Sequence, residues 1–204
     1  MEQSKINSLL QEKIGNLILF FSNGEKTSLI KILKLLYIAD ETAIKKYGAP
    51  ISWLEYKAWM RGPVASDLFD EAERITEKRS EVSGGLDMSE YMDVILDNEI
   101  RDQKHTMSIS PLKEFDDSEF SDAEIKILDQ VKKDFGSLSV TKLVHITHAE
   151  DSLWDQTVKA NDLKKAFKIS ARTDYPISIF KLLKGKKIEA YKHALDILEH
   201  EMTF

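Results

Sequence analysis

Leu29-Ile30-Lys31-Ile32-Leu33-Lys34-Leu35-Leu36-Tyr37-Ile38-Ala39-Asp40 is the stretch from which the fold is read. Leu29, Leu33, Leu36, Ala43 and Tyr47 form one stripe at helical spacing, so a helix is predicted from about Ser28. Gly48 ends it and Pro50 lies just beyond, the common order of a helix stop. The run carries Lys31 and Lys34 and is too short to span a bilayer. Asp40 falls on the stripe where a hydrophobe belongs. A carboxylate buried there must find donors or a cation. Lys57, Arg61, the indole N–H of Trp59 and the free N–H groups before Pro63 are the candidates. One reading is a catalytic acid with a raised pKa. The other, preferred because no second carboxylate or nucleophile is assignable nearby, is a polar lock between helix and strand.

Working outward, residues 54–60 change period: Leu54, Tyr56, Ala58 and Met60 alternate with Glu55, Lys57 and Trp59, which predicts a short strand. Gly62-Pro63 is read as the start of another helix, with Pro at the first helical position. On the N-terminal side, Ile6, Leu10, Ile14, Leu17, Ile18 and Phe21 predict one amphipathic helix over residues 5–21. Residues 80–85 read as a loop, and residues 91–96 and 105–112 as hairpin strands joined by a charged turn over 97–104. Ser121-Asp122-Ala123-Glu124 is a capping box opening a helix that runs to Phe135 and Gly136. A short helix follows Ser139, and Ser152 caps the next. Ile188, Tyr191, Leu195, Leu198 and Met202 make a seam on a last helix. The expected fold is mainly α (α+β): a compact helical domain over 1–160, with a small antiparallel hairpin or sheet between two helical halves, and a helical C-terminal extension over 161–204.

Composition narrows the function classes. The absence of cysteine excludes disulfides, thiol catalysis and Cys-based zinc sites, and fits a reducing cytoplasm. No signal peptide is read at the N-terminus. The net charge of −6 is uneven: residues 159–192 carry +7 and the rest −13. An acidic chain is a poor candidate for coating nucleic acid or anionic lipid. Neither a Gly-rich phosphate loop, G-x-S-x-G nor H-E-x-x-H occurs, so no enzyme is expected. His145 and Thr147-His148-Ala149-Glu150-Asp151 have metal-like spacing, but a polar connection between helices explains them as well, and no metal or cofactor is expected. Trp53, Tyr56 and Trp59, with Arg61 beside them, concentrate side chains that anchor interfaces, although core packing is an equal reading. The seam of Tyr191, Leu195 and Leu198 is a second candidate contact.

Together these stretches resemble a known family. Lys34 to Asp40, Tyr47-Gly48, Ile51, Tyr56 to Val64 and Leu68-Phe69-Asp70 resemble the Panacea antitoxin domain of SocA-like and phage-associated proteins. So do Phe120-Ser121, Leu128, Phe135-Gly136-Ser137-Leu138-Ser139, Leu143 and Thr147 to Trp154. The resemblance covers roughly residues 5–160. It implies an antitoxin of bacterial or phage origin that neutralises a toxin protein by direct binding, and in some members a proteolytic adaptor that hands the toxin to a protease. It carries no catalytic residues, only matched positions: Asp40, Trp59, Gly62, Pro63, His148 and Trp154. The alternative is a nucleic-acid-binding regulator, in which short helices and the hairpin build a winged-helix-like unit served by the basic segment 159–192.

Overall fold

The structure, a computed structural model, describes residues 3–82, 84–101 and 104–202. The elements run α1 (Gln3–Leu9), α2 (Gln11–Ser22), β1 (Thr27–Ser28), α3 (Leu29–Tyr47), β2 (Tyr56–Trp59), β3 (Gly62–Ala65), α4 (Ser66–Thr76), β4 (Met92–Arg101) and β5 (Lys104–Pro111). Then follow α5 (Asp122–Phe135), α6 (Val140–Thr147), α7 (Leu153–Ala160), α8 (Leu163–Ala166), β6 (Pro176–Ile177), a 3-10 turn (Ile179–Leu182) and α9 (Lys187–Glu201).

α3 is the axis of the molecule. Every residue from Ile32 to Asp40 is buried, Lys34 and Asp40 included, so this helix is enclosed on all sides rather than along one stripe. α2, α5, α6 and the 3-10 turn pack around it, and β3 crosses it. Gly48, at φ +93°, closes it as a left-handed cap whose N–H reaches the carbonyls of Ala43 and Ile44.

Two antiparallel three-stranded sheets flank this axis. In one, the order is β1-β5-β4, with β4 and β5 forming the hairpin between the helical halves. In the other, the order is β3-β2-β6; Tyr56 pairs with Ala65 and Trp59 with Gly62, and Tyr56 pairs with Ile177 on the far side. The fold is thus mixed α+β and mainly helical, as read from the sequence. The segment leading into β6 runs beside β2: Ala58 N–H donates to Tyr175 O at 2.9 Å and Met60 N–H to Ala171 O at 2.8 Å. Residues 171–175 therefore run alongside the aromatic strand, and residues 176–177 pair with it.

Three local expectations are corrected. Residues 62–65 are a strand, and the helix begins only at Ser66. Proline lacks an N–H and suits an edge strand, which β3 is. The helix expected over 5–21 is two helices, because Leu10 leaves helical geometry at φ −97°, ψ 13°. α1 is fixed on its own side by the Asn7 amide, which donates to Asp67 Oδ2 at 2.7 Å and to Gly84 O at 2.6 Å. The charged stretch 97–104 is largely strand, apart from residues 102–103, which lie outside the described residues. Its first charge belongs to the sheet: Asp97 accepts from Ser108 Oγ at 2.8 Å and pairs with Lys26 at 3.1 Å. The caps read at Ser121, Ser139 and Ser152 are all made, the first as a complete capping box.

Candidate partner-binding site

The site is built on a buried lock. Asp40 accepts from Ile51 N–H and Ser52 N–H, both at 2.8 Å, from Tyr56 OH at 2.7 Å and from Ser52 Oγ. None of the donors expected from Lys57, Trp59, Arg61 or the backbone before Pro63 is used; the lock closes on the turn into β2 and on one tyrosine. Those donors are near in sequence, but the turn at 51–52 reaches the carboxylate first and supplies uncharged N–H and O–H groups. Burial pushes the Asp40 carboxyl above its ordinary range, and the hydrogen bonds from Ser52, Tyr56 and Ile51 oppose the shift. Tyr37 stacks edge-on against Tyr56 with ring centroids 5.1 Å apart, so the aromatic neighbour of the lock also belongs to the core.

A second polar knot ties β3 to the α6–α7 connection. Lys34, with 0% of its surface exposed, donates to Pro63 O at 2.6 Å. Gly62, at φ +99°, has room for no side chain: a Cβ there would lie 2.9 Å from both Lys34 Nζ and His148 Nε2 and 3.0 Å from Thr147 Oγ1. His148 lies flat against Trp154, with centroids 3.7 Å apart and planes 2° from parallel. The Trp154 indole donates to Trp59 O at 2.8 Å. Desolvation by burial lowers the His148 pKa to about 4, helped by the Lys34 charge, and desolvation lowers the Lys34 pKa to about 7. Among the described residues no group of three or more His, Asp or Glu side chains is placed to hold a metal ion.

Above this knot lies a cleft of about 630 Å³ between α3, the β2–β3 hairpin, α4, the β4–β5 hairpin and the loop at 170–172. Trp59 and Arg61 line it, with Lys34 and Val64. At its rim the Arg172 guanidinium sits 4.8 Å from the Trp59 ring and 4.7 Å from Phe69, and makes a two-pronged ion pair with Glu73 at 3.0 and 2.5 Å. Across the mouth, Leu96 of the hairpin is 52% exposed.

The other candidates lie elsewhere. Tyr56 is in the core with Asp40. Trp53 stacks on Tyr191 of α9 at 5.4 Å, and Tyr191 in turn touches Phe180 at 4.6 Å. Trp53 holds a left-handed backbone at φ +55°, rare for a bulky residue, with its carbonyl taken by the Gln3 amide. Leu195 is half-buried and Leu198 buried. The structure therefore brings Trp59 and Arg61 together at one cleft, and Trp53 and Tyr191 at another place. Sequence reasoning missed Lys34, Phe69, Glu73 and Arg172. Lys34 sat in plain view inside an apolar run, but a stripe pattern cannot tell a snorkelling lysine from a buried one. Arg172 could not have been placed without the β2–β6 pairing.

No helix among the described residues is long and apolar enough to cross a membrane. Residues 32–155 match the family model for the antitoxin SocA-like, Panacea domain. That span holds most of α3, the Asp40 lock, the Lys34–His148 knot and most of the cleft wall, and leaves out Arg172 and α9. No curated protein matches the chain, and neither does any solved structure. The length of that match makes this chain a member of the SocA-like antitoxin family, built on a Panacea domain.

Proposed function

We propose that this protein neutralises a separately encoded toxin protein by binding it directly, without catalysis. Family membership carries the reading. The site geometry supports it: the buried polar groups are arranged as structural ties, with Asp40 satisfied by four donors, the hydroxyls of Ser52 and Tyr56 among them. The cleft offers what a protein contact needs, an aromatic and arginine anchor at Trp59, Phe69 and Arg172 with apolar surface at Leu96. We place the contact on this face, with Trp59 and Arg61 as its centre. Trp53, Tyr191 and Leu195 form a second contact on the α9 side, with Tyr56 and Leu198 holding each surface from beneath. The acidic charge outside residues 159–192 favours a basic toxin. This protein acts in the cytoplasm, and delivery of the bound toxin to a protease is the finer form of the same reading.

The test is co-expression with the product of the adjacent open reading frame. The expected result is toxicity of that product alone, protection by this chain, and a stable complex in pull-down and calorimetry. Protection without any physical association would overturn the binding mechanism.

A further inference from the structure

We propose that Trp59, Phe69, Asp70 and Glu73 form a receptor for a guanidinium group, which Arg172 fills within this chain and which an arginine side chain of the toxin takes over when the complex forms. The inference rests on the toxin reading for its partner and on the cleft for its geometry. Three observations carry it. First, Arg172 is held as a ligand is held. Its guanidinium lies 4.8 Å from the Trp59 ring and 4.7 Å from the Phe69 ring, in the corner that these two rings make edge to face. Glu73 grips it with both oxygens, at 3.0 and 2.5 Å, and Asp70 stands 3.8 Å away. Aromatic faces and a two-oxygen carboxylate suit the planar, forked guanidinium better than a lysine ammonium.

Second, receptor and occupant come from different parts of the chain. Trp59 is on β2, and Phe69, Asp70 and Glu73 are on α4, all within residues 32–155 that match the family. Arg172 comes from beyond that span, on a segment without helix that lies along β2: Met60 N–H donates to Ala171 O and the Trp59 indole to Thr173 O. An extended segment laid against a strand is also how a partner's peptide is commonly received. Third, the receptor carries more negative charge than its occupant neutralises. Two carboxylates face one guanidinium, and Asp70, with 49% of its side chain exposed, makes the looser pair. Arg172 keeps 33% of its side chain in water and lines the open cleft, so its way out to solvent is clear. Replacing one arginine by another conserves every contact of the receptor. The exchange is therefore nearly balanced, and the occupant from this chain acts as a tethered competitor that lowers the apparent affinity for the toxin. The acidic body, −13 outside residues 159–192, favours a partner that presents arginine.

The probes are N-acetyl-arginine amide and N-acetyl-citrulline amide, alike in shape and different in charge, titrated calorimetrically into the full-length protein and its Arg172→Ala variant. Arg172→Ala is expected to bind the arginine probe saturably, at least about tenfold more tightly than the unmodified protein does and than the variant binds the citrulline probe. Adding Glu73→Gln should abolish that preference. Arg172→Gln, which keeps the length and a polar end, carries the same test if Arg172→Ala does not fold. With the adjacent-frame toxin, Arg172→Ala is expected to raise affinity at least about threefold by removing the competitor, and Glu73→Gln to lower it at least about tenfold. A variant that binds both probes alike, or neither, would overturn the receptor. Toxin affinity unchanged or lowered in Arg172→Ala would overturn the exchange and make Arg172 itself the contact. A toxin that binds neither the unmodified protein nor the variants would sink the toxin reading and the exchange with it, while the probe titrations judge the receptor alone.

Discussion

At the scale of the residue, the structure turns on two charges inside one helix, and they are managed differently. Asp40 is saturated with donors. Asp40→Ala would strand the N–H groups of Ile51 and Ser52 and the hydroxyls of Ser52 and Tyr56, and is expected to cost about 3 kcal/mol or more, at one to three per buried group left unpaired. Urea denaturation checks this, and a loss under about 0.5 kcal/mol, the range of surface changes, would refute the lock. Lys34 is undersupplied, and its signature is in pH. Its pKa is lowered to about 7 in the folded chain from 10.5. Between those values the unfolded chain binds more protons than the folded one, so stability rises with pH. A tenfold change in proton affinity is worth about 1.4 kcal/mol, so the rise between about pH 7 and 9 should amount to a few kcal/mol. Stability curves of the native protein and of Lys34→Met should separate in slope over that window; parallel curves would show that Lys34 is solvated. Asp40 was legible in the sequence as a charge on an apolar stripe, but its partners were not. A carboxylate at a given helix position does not reveal which loop will fold over it. Lys34 was not legible, because its burial depends on packing from α6 and β3, far along the chain.

At the scale of the element, the periodic segments were readable and the junctions were not. Ser121-Asp122-Ala123-Glu124 carried its own cap chemistry, and the helix starts there. Gly62-Pro63 carried a signal with two solutions, helix start or edge strand. Pairing with β2 and the Lys34 bond to Pro63 O select the second. The seam of α9 was visible, but not what it faces: Gly48, Trp53 and Phe180 of the same chain. A Cβ at Gly48 would lie 2.7 Å from Lys187 O, in a left-handed conformation as well. Gly48→Ala should therefore cost about 1 kcal/mol or more and loosen the first turn of α9. Hydrogen exchange at residues 187–201 would report it; unchanged protection there, with unchanged melting, would show that α9 does not rest on the α3 cap. Tyr191→Ala removes the stacked ring from Trp53 and Phe180 and is expected to cost about 1–2 kcal/mol, less than a fully enclosed aromatic would.

At the scale of the whole molecule, the chain is a helical body wrapped around α3, with polar ties in the interior and an aromatic, arginine-rimmed cleft on one face. The basic segment 159–192 is partly neutralised in place: Lys159 pairs with Asp155, Lys165 with Asp162, Arg172 with Glu73 and Lys192 with Glu189. A nucleic-acid surface needs lysines and arginines left for phosphate, and these four are engaged with carboxylates. On the proposed function, protection flows from a physical complex formed at the cleft face. The most direct measurement is calorimetric affinity for the adjacent-frame toxin, compared between the native protein and the Trp59→Ala and Arg61→Ala variants, each first shown to be folded by circular dichroism and melting. The expected result is a tight native complex, a loss of at least tenfold in affinity (about 1.4 kcal/mol) in each variant, and a matching loss of protection in cells. Full protection by variants that no longer bind, or native affinity in both, would contradict it.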